Sequence, residues 1–218
     1  MIPGISIIHE DNSVLVVDKP PGMLSQPGRT VNDSVLTRVL EARPDATGSV
    51  LVHRLDMDTS GLLVLAKNKS AHRHLQQQFE HRKVGKRYIA KTQAKLLPLS
   101  VGGRIHLPLR LNIDDRPHQI VCNKHGKPAT TLWHRASSDT TGLLWLYPLT
   151  GRTHQLRVHL AHEAGLGAPI MGDRLYGTGV VSGRLMLHAQ YLAFDHPDCG
   201  VRQSFESPAP FVQYESAF

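Results

Sequence analysis

Hydrophobic and polar residues alternate along the first part of the chain in two spacings, one typical of strands and one of a helix. β-branched runs at residues 5–9 and 14–18 are separated by a short polar stretch, which predicts a β-hairpin. Apolar residues then recur at helical spacing over residues 32–42, where Asn32 or Asp33 is predicted to cap the start of a helix.

Two short apolar runs, 50–52 and 62–66, predict strands on either side of a polar connection. This connection has the sequence His-Arg-Leu-Asp-Met-Asp-Thr-Ser-Gly and covers residues 53–61. Rigid elements on both sides can hold reactive side chains at the edge of a core. Because Asp, Ser and Gly are also common turn residues, the composition alone is compatible with either a turn or a site.

The chain next predicts a second helix, followed by a strand that carries basic and aromatic residues. A second helix is predicted to open at residues 68–70, since apolar residues follow at i, i+4 and i+8. The alternation over residues 84–90 predicts a strand with Lys86 and Tyr88 on one face and Ile89 on the other. Tyr88 is therefore expected to be separate from the side chains that face the core.

The pattern of the remaining chain is weaker. Residues 98–117 contain proline and arginine without clear periodicity, so an irregular surface excursion is expected. The segments 118–122 and 129–134 predict a hairpin with a basic tip, and 142–147 predicts a further strand. A short helix is predicted to begin near Thr153, which is a good N-cap residue.

Length and cysteine content limit the class of protein. A chain of 218 residues can bury a hydrophobic core without disulfide bonds, and its two cysteines indicate neither a disulfide scaffold nor a zinc ribbon. The sequence contains no signal-peptide pattern and no apolar run long enough to cross a bilayer. A cytoplasmic protein without a membrane partner is expected.

The charge of the chain indicates a polyanionic partner. Lysine and arginine number 25 against 18 acidic residues, which gives a net charge of +7 and an isoelectric point near 9.6. Nucleic acid is the partner favoured by this balance. Arg152 and His154 stand beside the predicted helix start near Thr153, where free N–H groups and positive partial charge favour a phosphate.

Five strings of residues, in this order along the chain, resemble those of the RluA-type pseudouridine synthases. They are His-Arg-Leu-Asp-x-x-Thr-Ser-Gly at 53–61, Lys-x-Tyr-x-Ala at 86–90, Gly-Arg-x-His-Gln-Leu-Arg-x-His at 151–159, Gly-Asp-x-x-Tyr-Gly at 172–177 and Leu-His-Ala at 187–189. The resemblance implies an RNA-modifying isomerase that needs no metal or other cofactor.

The resemblance also implies the fold. It is an α+β fold with a mixed, largely antiparallel sheet, flanking helices and a central RNA-binding cleft. Because the first strand begins by residue 5, residues 1–218 are expected to form one catalytic domain without a separate N-terminal RNA-binding domain. The protein is expected to be a monomer.

Carried over by position, the resemblance gives roles to individual residues. Asp56 is the catalytic carboxylate, Arg157 pairs with it, and Tyr88 stacks on the target base. Arg54 enters the space that the base leaves, although a plain phosphate contact is equally compatible with its place in the string. Leu187 helps to wall the uracil pocket, or packs only in the core.

Further residues are expected to bind the RNA, namely Lys86, Arg152 and His154. Residues 116–122 and 126–129 resemble one member of the family in particular. That member modifies a uridine in large-subunit rRNA and one in a tRNA anticodon loop, so rRNA, tRNA or both are implied as substrates.

Three other interpretations were compared with this one. His154, His159 and His162 suggest a metal, but their spacings of 5 and 3 do not give the i, i+4 pair of a zinc helix. An RNA-binding module that has lost catalysis would use the same basic cleft. A hydrolase could divide acid and base roles between Asp56 and Asp58.

Overall fold

The computed structural model describes residues 1–93, 101–136, 142–177 and 183–212. Within these residues the chain forms three helices and eleven strands. In chain order they are β1 (Ser6–Glu10), β2 (Val14–Lys19), α1 (Val35–Ala42), β3 (Ser60–Ala66), α2 (Lys69–Glu80), β4 (Gly85–Lys91), β5 (Gly102–His106), β6 (Leu109–Leu111), β7 (Gln119–Val121), β8 (Thr130–Arg135), β9 (Leu143–Pro148), α3 (Gln155–Ala161), β10 (Leu187–Asp195) and β11 (Arg202–Glu206).

Nine of the described strands form one mixed sheet. Its order is β1-β2-β3-β10-β4-β9-β8-β5, with β11 paired to β10, while β6 and β7 form a separate two-stranded sheet. The neighbouring strands are antiparallel except β3 and β10, which run parallel. The predicted α+β class with a largely antiparallel sheet is confirmed.

The parallel contact between β3 and β10 requires a glycine. Ala189 lies opposite Gly61, whose φ is +113°, and a Cβ at that position would lie 2.4 Å from the carbonyl oxygen of Ala189. A larger residue would therefore collide with the backbone of β10, and it would also be strained by the positive φ. Gly61 thus brings the end of the polar connection against the strand that carries Leu187.

Helices cover both faces of the half of the sheet that contains β2 and β3. Successive residues of a strand point to opposite faces, so Val14 and Val16 pack with α2 while Leu15 and Val17 pack with α1. This explains why β2 is a continuous apolar run rather than an alternating one. In the other half, α3 packs against β8, β9 and the start of β10.

Most of the predicted elements are present. The hairpin of β1 and β2, both early helices and the strands β3, β4 and β9 are confirmed. The predicted cap of α1 was wrong by one or two residues. Ser34 is the N-cap, and its Oγ accepts a hydrogen bond from the backbone N–H of Thr37 at 3.1 Å.

The strand predicted at 50–52 is reduced to a single bridge between Leu51 and Leu65. The side chains of α2 bind the carbonyl groups that a neighbouring strand would otherwise use. Gln76 Nε2 donates to the carbonyl oxygen of Val52 at 3.0 Å, and His72 Nε2 lies 3.3 Å from that of Leu51. The polar connection therefore begins from an irregular segment and ends in a strand.

The region of residues 98–135 was predicted incorrectly in two respects. The expected irregular excursion contains β5 and β6 within its described part. The segments expected to pair as one hairpin belong to different sheets, because β7 pairs with β6 while β8 pairs with β5 and β9. Long-range pairing decided this arrangement, and local alternation carries no information about such partners.

Candidate active site

The connection at residues 53–59, called the Asp56 loop below, is fixed by contacts of its backbone. The backbone N–H of Thr59 donates to the carbonyl oxygen of Asp56 at 3.1 Å, closing a turn. Ser25 Oγ donates to the carbonyl oxygen of Leu55 at 2.8 Å and accepts from its N–H at 3.0 Å. The loop is therefore held by the segment that follows β2 as well as by its own turn.

Lys19 is the other residue that holds the Asp56 loop. Its side chain is fully buried, and Nζ donates to the carbonyl oxygens of Pro20, Met23 and Met57 at 2.6–2.9 Å. Burial lowers the pKa of Lys19 to about 8, and the negative charges of Asp58 and Asp56 oppose this shift. The three carbonyl groups provide the hydrogen bonds that a buried ammonium group requires.

A cleft of about 820 Å³ crosses the sheet beside the Asp56 loop. Six of the eight residues predicted for the site line it, namely Arg54, Asp56, Lys86, Tyr88, Arg152 and Leu187. The other two, His154 and Arg157, are buried. The structure thus gathers residues from the Asp56 loop, β4, the segment before α3 and β10 around one cavity.

Tyr88 both lines the cleft and packs in the core. Its ring packs against two neighbouring apolar clusters, one around α3 and one around α1, so the expectation that Tyr88 is separate from the core-facing set was wrong. Burial raises the pKa of Tyr88, and the charge of Asp56 raises it further, so the phenol remains protonated at neutral pH. Leu187 likewise packs in the core and forms part of the cleft wall.

Arg157 pairs with a different carboxylate from the one predicted. Its Nε and Nη2 donate to the two carboxylate oxygens of Asp173 at 2.9 and 2.6 Å, and both side chains are buried. Burial disfavours both charges, but the mutual hydrogen bonds and the attraction between the opposite charges together outweigh it, raising the pKa of Arg157 and lowering that of Asp173. The negative charge of Asp56 also raises the pKa of Arg157, but within the described residues no hydrogen bond joins the two side chains.

Tyr176 connects this ion pair to His154. The guanidinium carbon of Arg157 lies 5.2 Å from the centroid of the Tyr176 ring. The Tyr176 hydroxyl accepts from the backbone N–H of Gln119 and also forms a hydrogen bond with His154 Nδ1, each at 2.8 Å. Burial lowers the pKa of His154. The imidazole of His154 is therefore neutral at neutral pH.

The start of α3 differs from the prediction. His154 rather than Thr153 is the N-cap, with φ of +52° and no side-chain hydrogen bond to the helix. The Gln155 Oε1 atom accepts from the backbone N–H of Arg152 at 3.0 Å and from the hydroxyl of Thr150 at 2.7 Å. Protein groups thus occupy part of the predicted phosphate site, and of the two residues predicted there Arg152 lines the cleft while His154 is buried.

Arg54 is exposed and spans the cleft. Its Nη2 donates to Thr153 Oγ1 at 2.9 Å, which joins the Asp56 loop to the opposite wall. Because the side chain is exposed, it can leave this contact to reach either a base or a phosphate, so both predicted roles of Arg54 stay open.

Most of the described histidines are engaged in side-chain hydrogen bonds rather than gathered in a cluster, and His159 is one example. In His159, Nδ1 lies 2.9 Å from the hydroxyl of Thr131 and Nε2 lies 3.2 Å from the carbonyl oxygen of Leu107. Over the ranges that the structure describes, no three His, Cys, Asp or Glu side chains converge as metal ligands, and no helix has the length and apolarity to span a membrane.

Sequence reasoning did not identify four residues that shape this site. Asp173 and Tyr176 lie in a matched string but received no role, and Lys19 received none either. The string could have indicated Asp173, because a buried arginine needs a carboxylate partner. Ser25 carries no signal in the sequence that would have indicated its contact with Leu55.

The fold and the site define the class of protein. A family model described as RNA pseudouridylate synthase matches residues 13–162, and the chain belongs to this family. It is an isomerase that acts on RNA.

Individual relatives cover nearly the whole chain. The dual-specificity RNA pseudouridine synthase RluA of Escherichia coli strain K12 is 42% identical over 216 residues, covering 96% of this chain and 95% of that protein. RluA of Vibrio parahaemolyticus is 43% identical over 220 residues, covering 96% and 85%. This degree of identity supports an active enzyme over a binding module that has lost catalysis.

Two solved structures are similar throughout. Human RNA pseudouridylate synthase domain containing 1 superposes with a TM-score of 0.78 at 28% identity and covers 97% of this chain and 86% of its own. Human RNA pseudouridylate synthase domain containing 4 has a TM-score of 0.72 at 25% identity and covers 94% and 89%. The arrangement of strands around the cleft is therefore that of pseudouridylate synthases.

Proposed function

We propose that this chain isomerises a uridine in large-subunit rRNA and one in a tRNA anticodon loop, with Asp56 as the catalytic carboxylate. The observation that carries the assignment of Asp56 is its position in the cleft beside Tyr88 and Leu187, on a loop held by buried Lys19. Two classes of substrate are supported by the dual-specificity relatives and by the resemblance of residues 116–129.

The reaction needs one carboxylate and no change of oxidation state. The bond between uracil N1 and the sugar C1′ breaks and a bond from C1′ to uracil C5 forms. The hydrogen on C5 leaves as a proton, and N1 takes up a proton, so the product is an isomer of the substrate. Asp56 can add to the sugar or base, or remove a sugar proton to give a glycal, and each route requires the ionised carboxylate. Arg157 supplies a nearby positive charge, and Asp173 fixes its orientation.

The target uridine must leave its stack to reach Asp56. Extrusion costs a few kcal/mol and costs least in a single-stranded loop, which favours the anticodon loop as a substrate. In the proposed complex, Tyr88 stacks on the extruded uracil and Leu187 packs beside it. Arg54 gives up its hydrogen bond to Thr153 and enters the space that the base has left.

The remaining cleft residues are proposed to bind the RNA backbone. Lys86 and Arg152 line the cleft and present positive charge to phosphates. His154 is neutral and buried, so its proposed contribution is to hold Tyr176 beside Arg157 rather than to bind a phosphate directly. We also propose that residues 1–218 act as one catalytic domain and as a monomer, which light scattering of the purified protein checks.

The decisive experiment compares Asp56→Asn with Asp58→Asn, two substitutions on the same loop. Each keeps the size of the side chain and removes its charge. Tritium release from RNA labelled at uracil C5 reports the reaction, because formation of the new bond expels that hydrogen. Asp56→Asn is expected to bind RNA and release no tritium, while Asp58→Asn keeps most of the activity. The reverse pattern contradicts the assignment of Asp56, and full activity in both variants contradicts catalysis at this site.

The substrates are tested by mapping pseudouridine in total RNA from a strain that lacks the gene. One position in large-subunit rRNA and one in tRNA are expected to lose the modification. Wild-type protein should restore both positions and Asp56→Asn neither. Loss at only one of the two positions would contradict the proposed dual specificity.

A further inference from the structure

The cleft continues along β4 beyond the residues proposed for the reaction. Its far part, called the Phe79 end below, is lined by Phe79, Arg82, Val84 and Lys86. Residues i and i+2 of a strand lie on one face about 7 Å apart, so Lys86 stands one such step from Tyr88. The sugar-phosphate backbone between neighbouring nucleotides can cover this distance.

Phe79 differs from the other apolar residues of α2. Ala71 and Leu75 are fully buried on the sheet, whereas Phe79 is half-buried and faces the cleft. Its ring is backed by His53, with ring centroids 4.5 Å apart and an angle of 26° between the planes. This arrangement leaves an aromatic surface in a cleft that belongs to an RNA-modifying enzyme.

His53 is a fixed, neutral partner in this stack. Its Nε2 accepts a hydrogen bond from the backbone N–H of Val64 at 3.1 Å, which places the ring proton on Nδ1. Burial lowers the pKa of His53 to about 3, and the charge of Lys86 lowers it further. The pair of rings is therefore rigid and uncharged at neutral pH, as a stacking platform for a base requires.

Positive charge surrounds the aromatic pair. Lys86 Nζ lies 6.0 Å from the centroid of the Phe79 ring. Arg82 is exposed in the turn between α2 and β4, and it lines the cleft. Glu80 is the acidic residue on this side of the cleft lining. The two cations outnumber the single carboxylate and complement a phosphate group.

We propose that the Phe79 end is a second nucleotide subsite, which binds the unpaired base next to the target uridine. The base stacks on Phe79, and its phosphate lies between Arg82 and Lys86. The inference rests on the proposed entry of the target uridine at Asp56. Because every base has a flat face, this subsite requires a base at the neighbouring position but does not select its identity.

The test uses an anticodon stem-loop in which each nucleotide flanking the target uridine is replaced, one at a time, by an abasic residue. Loss of one stacked base costs about 1–3 kcal/mol, so KM for wild-type enzyme should rise by about 5-fold to 150-fold at one flanking position, with kcat retained. Phe79→Leu should show a similar rise with intact RNA. The KM of Phe79→Leu should not rise further with the abasic RNA.

Phe79→Tyr is the matched control, since it keeps an aromatic face and should behave as wild type. Equal sensitivity of wild type and Phe79→Leu to every abasic position would overturn the inference. If Phe79→Leu does not fold, the wild-type scan alone still decides the matter, because the absence of any costly flanking position contradicts the subsite.

A binding assay separates this inference from the proposed function. 2-Aminopurine at the flanking position should be quenched on binding to Asp56→Asn, which performs no reaction, and the quenching should be lost in the variant that also carries Phe79→Leu. If wild-type enzyme releases no tritium but the quenching is retained, the proposed reaction at Asp56 is contradicted and the proposed subsite is still supported. Tritium release without quenching at any flanking position contradicts the subsite alone.

Discussion

Replacement of Asp173 by asparagine is expected to cost both stability and activity, because it leaves the buried charge of Arg157 without a partner. The side chains of Arg157 and Asp173 are 2% and 0% exposed, respectively. Asparagine keeps the size of the side chain and one oxygen, which can still accept from the backbone N–H groups of Leu175 and Tyr176. The substitution thus removes mainly the negative charge and one of the two hydrogen bonds to Arg157.

The magnitude follows from the burial of the pair. Removing one partner of a buried ion pair costs about 3–5 kcal/mol, since the remaining charge stays desolvated. Arg157→Met should cost a similar amount for the same reason, because Asp173 is then uncompensated. The double variant contains neither buried charge, so its loss should be smaller than the sum of the two single losses by about 2 kcal/mol or more.

Urea unfolding of the four proteins at neutral pH measures these free energies, and the tritium assay measures activity alongside. Activity should fall strongly in all three variants. The double variant should lose less unfolding free energy than the two single variants lose together. Strictly additive losses would refute the reasoning, because they would mean that the two charges do not compensate each other in the folded protein.

Two further predictions concern pH and salt. Burial lowers the pKa of His159 from 6.5 to about 4, so the unfolded chain takes up a proton more readily between these values, and stability should fall by about 2 kcal/mol as the pH is lowered from about 7 to 5. Urea unfolding measures this slope, and an equal slope in His159→Gln would contradict the assignment. If Arg152 neutralises one phosphate and Arg82 and Lys86 share another, affinity for an anticodon stem-loop should fall about seven-fold between about 50 and 200 mM salt. A filter-binding series with a flat salt response would contradict that electrostatic contact.

The sequence carried most of the information about which residues face the cleft. Alternation along β4 placed Lys86 and Tyr88 on one face, and both line the cavity. The extent to which each side chain is buried was not available from alternation, because Tyr88 borders the cleft while it packs against residues from distant strands. A strand face that is polar in the sequence can therefore be half-buried in the fold.

The partner of Arg157 shows a second limit of sequence reasoning. Asp56 and Asp173 are both in matched strings, and nothing in their spacing determines which of them reaches the guanidinium group. The choice depends on the path of the chain after α3, which brings Asp173 to the buried side of the arginine. For the same reason, the pairing of β5 with β8 could not be predicted from patterns within either segment.

The position of β10 has a consequence for the newly made protein. This strand lies between β3 and β4, although it is among the last parts of the described chain to be synthesised. A nascent chain that has emerged from the ribosome only as far as α3 already carries the Asp56 loop, but it has a gap where β10 will pair with Ser60 and Gly61 on one side and with β4 on the other. Such late, long-range strand insertion is slow compared with the formation of local contacts. The order of synthesis therefore leaves the cleft without the wall that Leu187 provides until β10 has been made, and catalysis can begin only after the central strand has been inserted.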